Sequence, residues 1–286
     1  MIEILKTILF GIVEGITEWL PVSSTGHMIL LNELVKLDVS EEFYAVYEVV
    51  IQLGAILAVV LLFWKTIWPF GKKNNNAPLS TKGIGAWVKK DIFILWFHFL
   101  VSCIPAIIIG VLFDEYFEAL FYNFTTVAIM LIVVGIAFII LENVHKNDTA
   151  KVTDMSQITY KTAFILGMFQ VIAAVFPGTS RSGAIIVGAL IIGIARPVVA
   201  EYAFCLAIPV MFGASLLKIV KYVADGFVFS TNELMILGIG TVVAFVVSVF
   251  VIRFLMDYIR KHDFKLFGWY RIVLGVIVLA YGFLVR

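Results

Sequence analysis

The 286-residue sequence is 62% hydrophobic and 14% charged, with a mean hydropathy of +1.05 and a formal net charge of +1. Soluble domains run near 45–50% apolar and about 25% charged, so a soluble globular enzyme is excluded and an integral membrane protein is expected. No basic patch is long enough to suggest a nucleic-acid partner, and Cys103 and Cys205 sit singly in apolar runs, as buried hydrophobes do.

In chain order, residues 1–20 are apolar but carry Glu14 and Glu18 and run into Pro21. The start lacks a basic, apolar, small-residue succession, so no cleavable signal peptide is expected. Ser23-Ser24-Thr25 supply helix N-cap types for a second short helix over 24–37. Two short helices around a polar turn suggest a re-entrant hairpin, tolerated at depth when buried in protein or lining a wet cavity. Residues 46–64 form a first spanning candidate with Glu48 and Gln52 near one end, and 65–91 a polar loop with Asn74-Asn75-Asn76 and Pro78. Residues 92–113 form a second span, 114–123 an acidic loop (Asp114, Glu115, Glu118), 124–141 a third span and 142–161 a mixed-charge loop.

Residues 162–195 then repeat the opening pattern around Pro177-Gly178-Thr179-Ser180-Arg181-Ser182-Gly183, and 198–217, 234–252 and 266–285 are spans four to six, joined in part by a 222–233 loop. Setting Gly11 on Gly167 gives an offset of 156, which also places Pro21 on Pro177, Glu14 on Gln170, Ser23 on Thr179 and Ser24 on Ser180. The expectation is an all-α integral membrane domain over 1–286, with six transmembrane helices and two re-entrant hairpins. Repeat one covers about 1–113 with 124–141 as its third span, and repeat two about 160–286. Three spans per repeat make the halves inverted. The 65–91 loop has six lysines against Asp91, and 257–265 has Arg260, Lys261 and Lys265 against two aspartates. That face is expected to be cytoplasmic, with the acidic loop and both termini outside. Lys218 and Lys221 argue mildly against this.

The two turns suit phosphoryl transfer. Helix N-termini and an arginine fork bind phosphate, and Gly178 lets backbone approach a ligand. Ser23, Thr25, Gly178, Thr179, Ser180, Arg181 and Ser182 are the candidate phosphate ligands. Ser23, Ser24 and Thr25 are the hydroxyl nucleophile candidates. Glu14, Glu18 and His27 are candidate acid/base groups, and Glu14 with Glu18, one helical turn apart, are candidate metal ligands. Glu48 divides between site and structure. Gln170 and Glu201 are expected to be structural, His98 packed, and Arg271 paired with an acid or drawn to an interface. Trp64, Trp68 and Trp87 suit an aromatic belt.

The run Glu14-x-x-x-Glu18-x-x-Pro21-Val22-Ser23-Ser24-Thr25-Gly26-His27, with Pro177-Gly-x-Ser-Arg-Ser-Gly-Ala184 and Glu48-Val-Val-Ile-Gln-Leu-Gly54, resembles the undecaprenyl-pyrophosphate phosphatase family of the bacitracin-resistance type. The similarity covers essentially the whole chain. It implies removal of the terminal phosphate of a C55 prenyl diphosphate in the bacterial inner (plasma) membrane, with the site opening to the outer, periplasmic side. It also implies dependence on a divalent cation, Mg²⁺ or Ca²⁺. Glu14, Glu18 and His27 match functional residues of the first motif, Ser24 the proposed nucleophile, and Ser180 and Arg181 the phosphate-binding pair. The family's second motif commonly ends in Thr where this chain has Ile185, so that hydroxyl is either a minor contact or supplied elsewhere, as by Thr179. The expected partners are the polyprenyl diphosphate and the bilayer, with a homodimer left open. Glu18 and His27 both stand as activators of Ser24, and direct attack by water is the alternative to Ser24. The rival function is a transporter or flippase for a phosphorylated polyprenyl lipid, since inverted repeats also serve alternating access.

Overall fold

The structure, a computed structural model, describes residues 2–71, 75 and 77–285, apart from the side chains of Val111, Asp114, Glu115, Glu118 and Val285. The described helices are α1 (Ile2–Thr17), α2 (Ser24–Leu34), α3 (Glu41–Val50), α4 (Gln52–Leu62), α5 (Trp64–Ile67), α6 (Lys90–Phe121), α7 (Phe124–Val144), α8 (Tyr160–Val175), α9 (Arg181–Ile192), α10 (Arg196–Ala224), α11 (Thr231–Ile259) and α12 (Lys265–Val285). Among the described residues no strand forms, and extended pairing is limited to isolated bridges such as Val152 with Ile194. Six segments are long and apolar enough to cross a membrane: Glu41–Leu62, Lys90–Gly110, Phe124–Val144, Arg196–Ala224, Thr231–Ile259 and Lys265–Leu284. The protein is a multi-pass membrane protein. Helices α1, α2, α8 and α9 have 16, 11, 16 and 12 residues. At 1.5 Å per residue each falls short of a hydrocarbon core of about 30 Å.

Several expected boundaries move. Residues 114–121 are not a loop: α6 continues to Phe121 because no Pro or Gly interrupts 111–121. The acids that suggested a loop have side chains outside the described residues, as do Lys72, Lys73, Asn74 and Asn76 in the 65–91 segment altogether. The 222–233 loop shrinks to 225–230, since α11 begins early behind a Ser230–Glu233 capping box. The first span starts at Glu41, capped by Ser40, and divides at Ile51. Between α7 and α8, Asp154 caps a 3-10 turn, and the Ser156 hydroxyl and amide hold its carboxyl below the usual carboxylate range.

The short helices pack reciprocally: α1 lies along α11 and α8 along α6. Gly11 and Gly167 mark both contacts. A Cβ at Gly11 would sit 2.8 Å from Gly240 O, and one at Gly167 2.5 Å from Ser102 O. Close backbone approach at small residues is how helices associate in lipid. The α6–α8 seam is reinforced by the Ser102 hydroxyl, which donates to Ala163 O at 2.6 Å and pairs with the Tyr202 hydroxyl at 2.6 Å. Gly167→Val is therefore expected to cost about 1–3 kcal/mol by overpacking, measured as a lower melting temperature of the purified protein in detergent. Gly238→Ala, with nothing within 4 Å of the new carbon, should leave melting unchanged or raise it. Equal melting of the two variants would contradict the close α6–α8 approach.

The main core gathers Trp19, Phe99, Tyr202 and Phe204, with Trp19 edge-on to Phe204 at 5.1 Å. At the far end of α7, buried Glu142 binds the Arg196 guanidinium and accepts from Phe264 N at 3.0 Å, joining three spans.

Candidate active site

Each short-helix pair turns through a serine in an uncommon conformation. Ser23 has φ 74° and Ser180 φ 66°, and among the described residues they are the non-glycine residues with positive φ. Such a backbone costs energy in an L-residue and gathers at functional sites. Both serines cap the helix that follows. Ser23 Oγ accepts from Gly26 N at 3.3 Å, and Ser180 Oγ accepts from Gly183 N at 3.3 Å. The matching register across the turns is therefore Ser23 on Ser180, one residue away from the expected Ser23 on Thr179. The offset grows from 156 to 157 because the second turn holds one more residue between its proline and its cap. Ser24 then matches Arg181, the first residue of α9, rather than Ser180.

Three groups meet between the turns. Arg181 Nη2 donates to Glu18 Oε1 at 3.0 Å, and Ser24 Oγ donates to Glu18 Oε2 at 2.5 Å. The Glu18 carboxylate is thus shared by the arginine of one turn and the hydroxyl of the other. Its side chain is 8% exposed and that of Arg181 14%. Around them lies an accumulation of buried polar atoms without partners: both carboxylate oxygens of Glu14, both amide atoms of Gln170, Thr179 Oγ1, Arg181 Nη1 and Trp19 Nε1. Buried polar groups in native proteins are almost always bonded, so this concentration in the two turns and their helices marks a place shaped for a polar ligand.

Both turns are held from outside by Arg271. This residue of α12 is fully buried, with Nη1 donating to Pro21 O at 3.0 Å and Nη2 donating to Gly178 O at 2.7 Å and Thr179 O at 2.8 Å. The expectation that it pairs with an acid or reaches an interface is corrected: its partners are main-chain carbonyls, those of both turns and, from Nε at 3.5 Å, Leu131 O of α7. Gly178 itself has φ 90°, and a Cβ there would lie 2.5 Å from Val127 O, so the second turn sits directly on α7.

The remaining expected residues fall nearby with other partners. His27 Nδ1 lies 2.7 Å from Ser23 O and Nε2 2.7 Å from the Tyr270 hydroxyl, with the rings nearly parallel. In the neutral ring the carbonyl places the proton on Nδ1, so Tyr270 donates to Nε2. His27 braces the turn, while the Ser24 hydroxyl goes to Glu18. Ser182 Oγ pairs with Ser180 Oγ at 3.1 Å. Thr25 and Glu14 line a cavity of about 250 Å³ together with Glu48, Gln52, Tyr122 and Lys218. Glu201 accepts from the Thr66 hydroxyl at 3.0 Å, and His98 packs edge-on to Tyr160, both as expected of structural groups. Gln170, expected to be structural, is buried and bonded to nothing. Ile185 is wholly buried in the main core, and Thr179 Oγ1 is the unpartnered hydroxyl of that turn.

Residues 7–277 match the family described as bacitracin resistance protein BacA. An undecaprenyl-diphosphatase of Desulfitobacterium hafniense is 60% identical over 281 residues, 98% of this chain and 96% of the relative. Undecaprenyl-diphosphatase 1 of Clostridium acetobutylicum is 57% identical over 284 residues, 99% of each chain. An undecaprenyl-diphosphatase of Enterococcus faecalis is 54% identical, covering 97% of this chain and 96% of that one. The chain belongs to the bacitracin resistance protein BacA family.

For a BacA-family chain the fit to a divalent cation is a question of donors. Both Glu18 oxygens are engaged, by Arg181 and Ser24, while both Glu14 oxygens are free and buried. Among the described residues no three of His, Cys, Asp and Glu are grouped as a metal cage. Mg²⁺ is often held by one or two carboxylates, with phosphate oxygens and waters completing the shell. Glu14 fits that pattern, an ion arriving with its phosphate, better than it fits a preformed site.

Proposed function

We propose that the protein is a membrane phosphatase that hydrolyses undecaprenyl diphosphate to undecaprenyl phosphate and inorganic phosphate. The observation that carries this reading is the Arg181–Glu18–Ser24 chain of contacts: a hydroxyl bonded to a carboxylate that an arginine holds in place. The names of the relatives support the substrate.

In this reading the terminal phosphate lies against Arg181, whose free Nη1 and planar fork suit two phosphate oxygens. Thr179 Oγ1 and the amides at the start of α9 complete the cradle. Ser24 Oγ attacks phosphorus, its proton passes to Glu18 Oε2, and the bridging P–O bond breaks with its electrons leaving on the prenyl phosphate. The departing prenyl phosphate takes that proton from Glu18; water then attacks the phosphoserine and gives a proton to Glu18, which passes it to Ser24 Oγ as the P–Oγ bond breaks and inorganic phosphate leaves. A divalent cation held by Glu14 would neutralise phosphate charge. His27 keeps the first turn in shape. The prenyl tail lies along the exposed apolar end of α6, where Leu112, Phe113, Tyr116 and Leu120 are open.

The architecture behind this is read as an inverted repeat, with α1–α2 and α8–α9 as re-entrant hairpins. Its support is the reciprocal packing of α1 on α11 and α8 on α6, with the matched capping serines. The lysine-bearing loops then face the cytoplasm, and the site opens to the outer side of the plasma membrane.

The test is phosphate release from a prenyl diphosphate by the purified protein in detergent, where no second compartment exists and a pure transporter releases none. With the terminal phosphate radiolabelled and the reaction acid-quenched, label should remain on the wild-type chain and be absent from Ser24→Ala, whose turnover should fall about 10³-fold. Turnover preserved in Ser24→Ala would replace the serine by direct attack of water.

A further inference from the structure

The cavity of about 250 Å³ that Glu14 and Thr25 line is also lined by Glu48, Gln52, Tyr122 and Lys218. At roughly 30 Å³ per liquid water, it holds a phosphate group and several waters. Its lining carries two acids, Glu14 and Glu48. Glu14 is fully buried, with both oxygens unpartnered, and Glu48 stands beside it along the wall. A diphosphate whose terminal group occupies the Arg181 turn must still place its second, prenyl-bearing phosphate, and beside acidic side chains that group needs a cation of its own.

Lys218, on α10, is the cation lining this cavity among the described residues, and it makes no ion pair or hydrogen bond there. It is half-buried, its stem is flexible, and its ammonium is a compact charge with three donors. Phe117 of the α6 extension also lines the cavity, on the same helix end as the open apolar side chains. The lining thus combines a cation with the apolar end of α6, the two chemistries that the lipid side of a prenyl diphosphate presents.

We propose that Lys218 forms the subsite for the prenyl-side phosphate: it binds that group in the substrate and holds it as the leaving prenyl phosphate. This rests on the phosphatase reading. Binding the prenyl phosphate would set substrate affinity and retention of the lipid product, and would leave the hold on the terminal phosphate to Arg181.

The experiment compares wild type, Lys218→Met and Lys218→Arg in detergent, with farnesyl diphosphate as substrate and farnesyl monophosphate or inorganic phosphate as competitor. Lys218→Met should raise KM about tenfold with kcat within about threefold, the loss expected for one charge-assisted bond. Competition by farnesyl monophosphate should weaken by a similar factor, whereas competition by inorganic phosphate should not change. Lys218→Arg should restore most of the affinity, separating lost charge from lost packing. Unchanged KM and unchanged monophosphate competition in Lys218→Met, with an active wild type, would overturn the subsite alone. Equal weakening of both competitors would move Lys218 to the terminal phosphate and also overturn it. A wild type that releases no phosphate would remove the phosphatase reading and this subsite with it.

Discussion

Arg181→Ala lowers phosphate release from a prenyl diphosphate by about 10³-fold or more. Removing one preorganised donor to a developing oxyanion costs 10²–10³ in comparable sites, and an arginine stabilising phosphoryl transfer about 10³–10⁵. Arg181 has two jobs here: one Nη is aimed at no protein atom and the other fixes Glu18, which in turn holds Ser24. On the proposed reading, losing it removes the phosphate clamp, and it frees the Glu18 carboxylate. Arg181→Lys should rescue little, since a point charge cannot hold the carboxylate and grip two phosphate oxygens with fixed geometry. The measurement is initial-rate phosphate release, with a monodisperse profile in size-exclusion chromatography as evidence of folding. A folded Arg181→Ala protein that retains more than a tenth of its activity would remove the arginine from the centre of the site.

The second large effect belongs to a residue remote from phosphate. Arg271→Met leaves the carbonyls of Pro21, Gly178 and Thr179 buried without their donor. Unsatisfied buried groups cost about 1–3 kcal/mol each, so a loss of about 3–5 kcal/mol is expected once the turns relax in part. Activity should fall about 100-fold or more, because the turns that carry Ser24 and Arg181 lose their common anchor. Arg271→Lys should recover little, having no planar fork to reach both turns. Melting in detergent and phosphate release are read together. An Arg271→Met protein with wild-type melting and turnover would show that the turns hold their places without α12.

Much of this was legible in the residues. Polar runs in hydrocarbon are costly, so Glu14 to His27 and Gly178 to Ser182 stood out from their surroundings, and the structure brings those two runs into contact. Spans came through because length and hydropathy govern them, while their ends moved where local chemistry outweighed composition: the acids of 114–118 suggested a loop, yet nothing there breaks a helix. Arg271 was visible as a charge inside a span, but its partners were not. Carbonyls bear no side-chain signature, and those it binds are 92 to 250 positions away. The division of labour between Glu18 and His27 was hidden for a related reason. Both lie within reach of Ser24 along the chain, and Tyr270, which takes the imidazole, comes from the far end of the sequence. The one-residue shift between the turns depended on two backbone conformations that no composition reveals.

The position of α12 carries a consequence for biogenesis. The two turns are made early and midway through synthesis, yet the arginine that clasps them comes with α12. A nascent chain that has inserted every segment before α12 still holds both turns without the donor to their carbonyls, and on the proposed reading its phosphate release is as low as that of Arg271→Met. Docking of α12 is thereby the folding step that couples the two turns, whatever else of the chain has already packed.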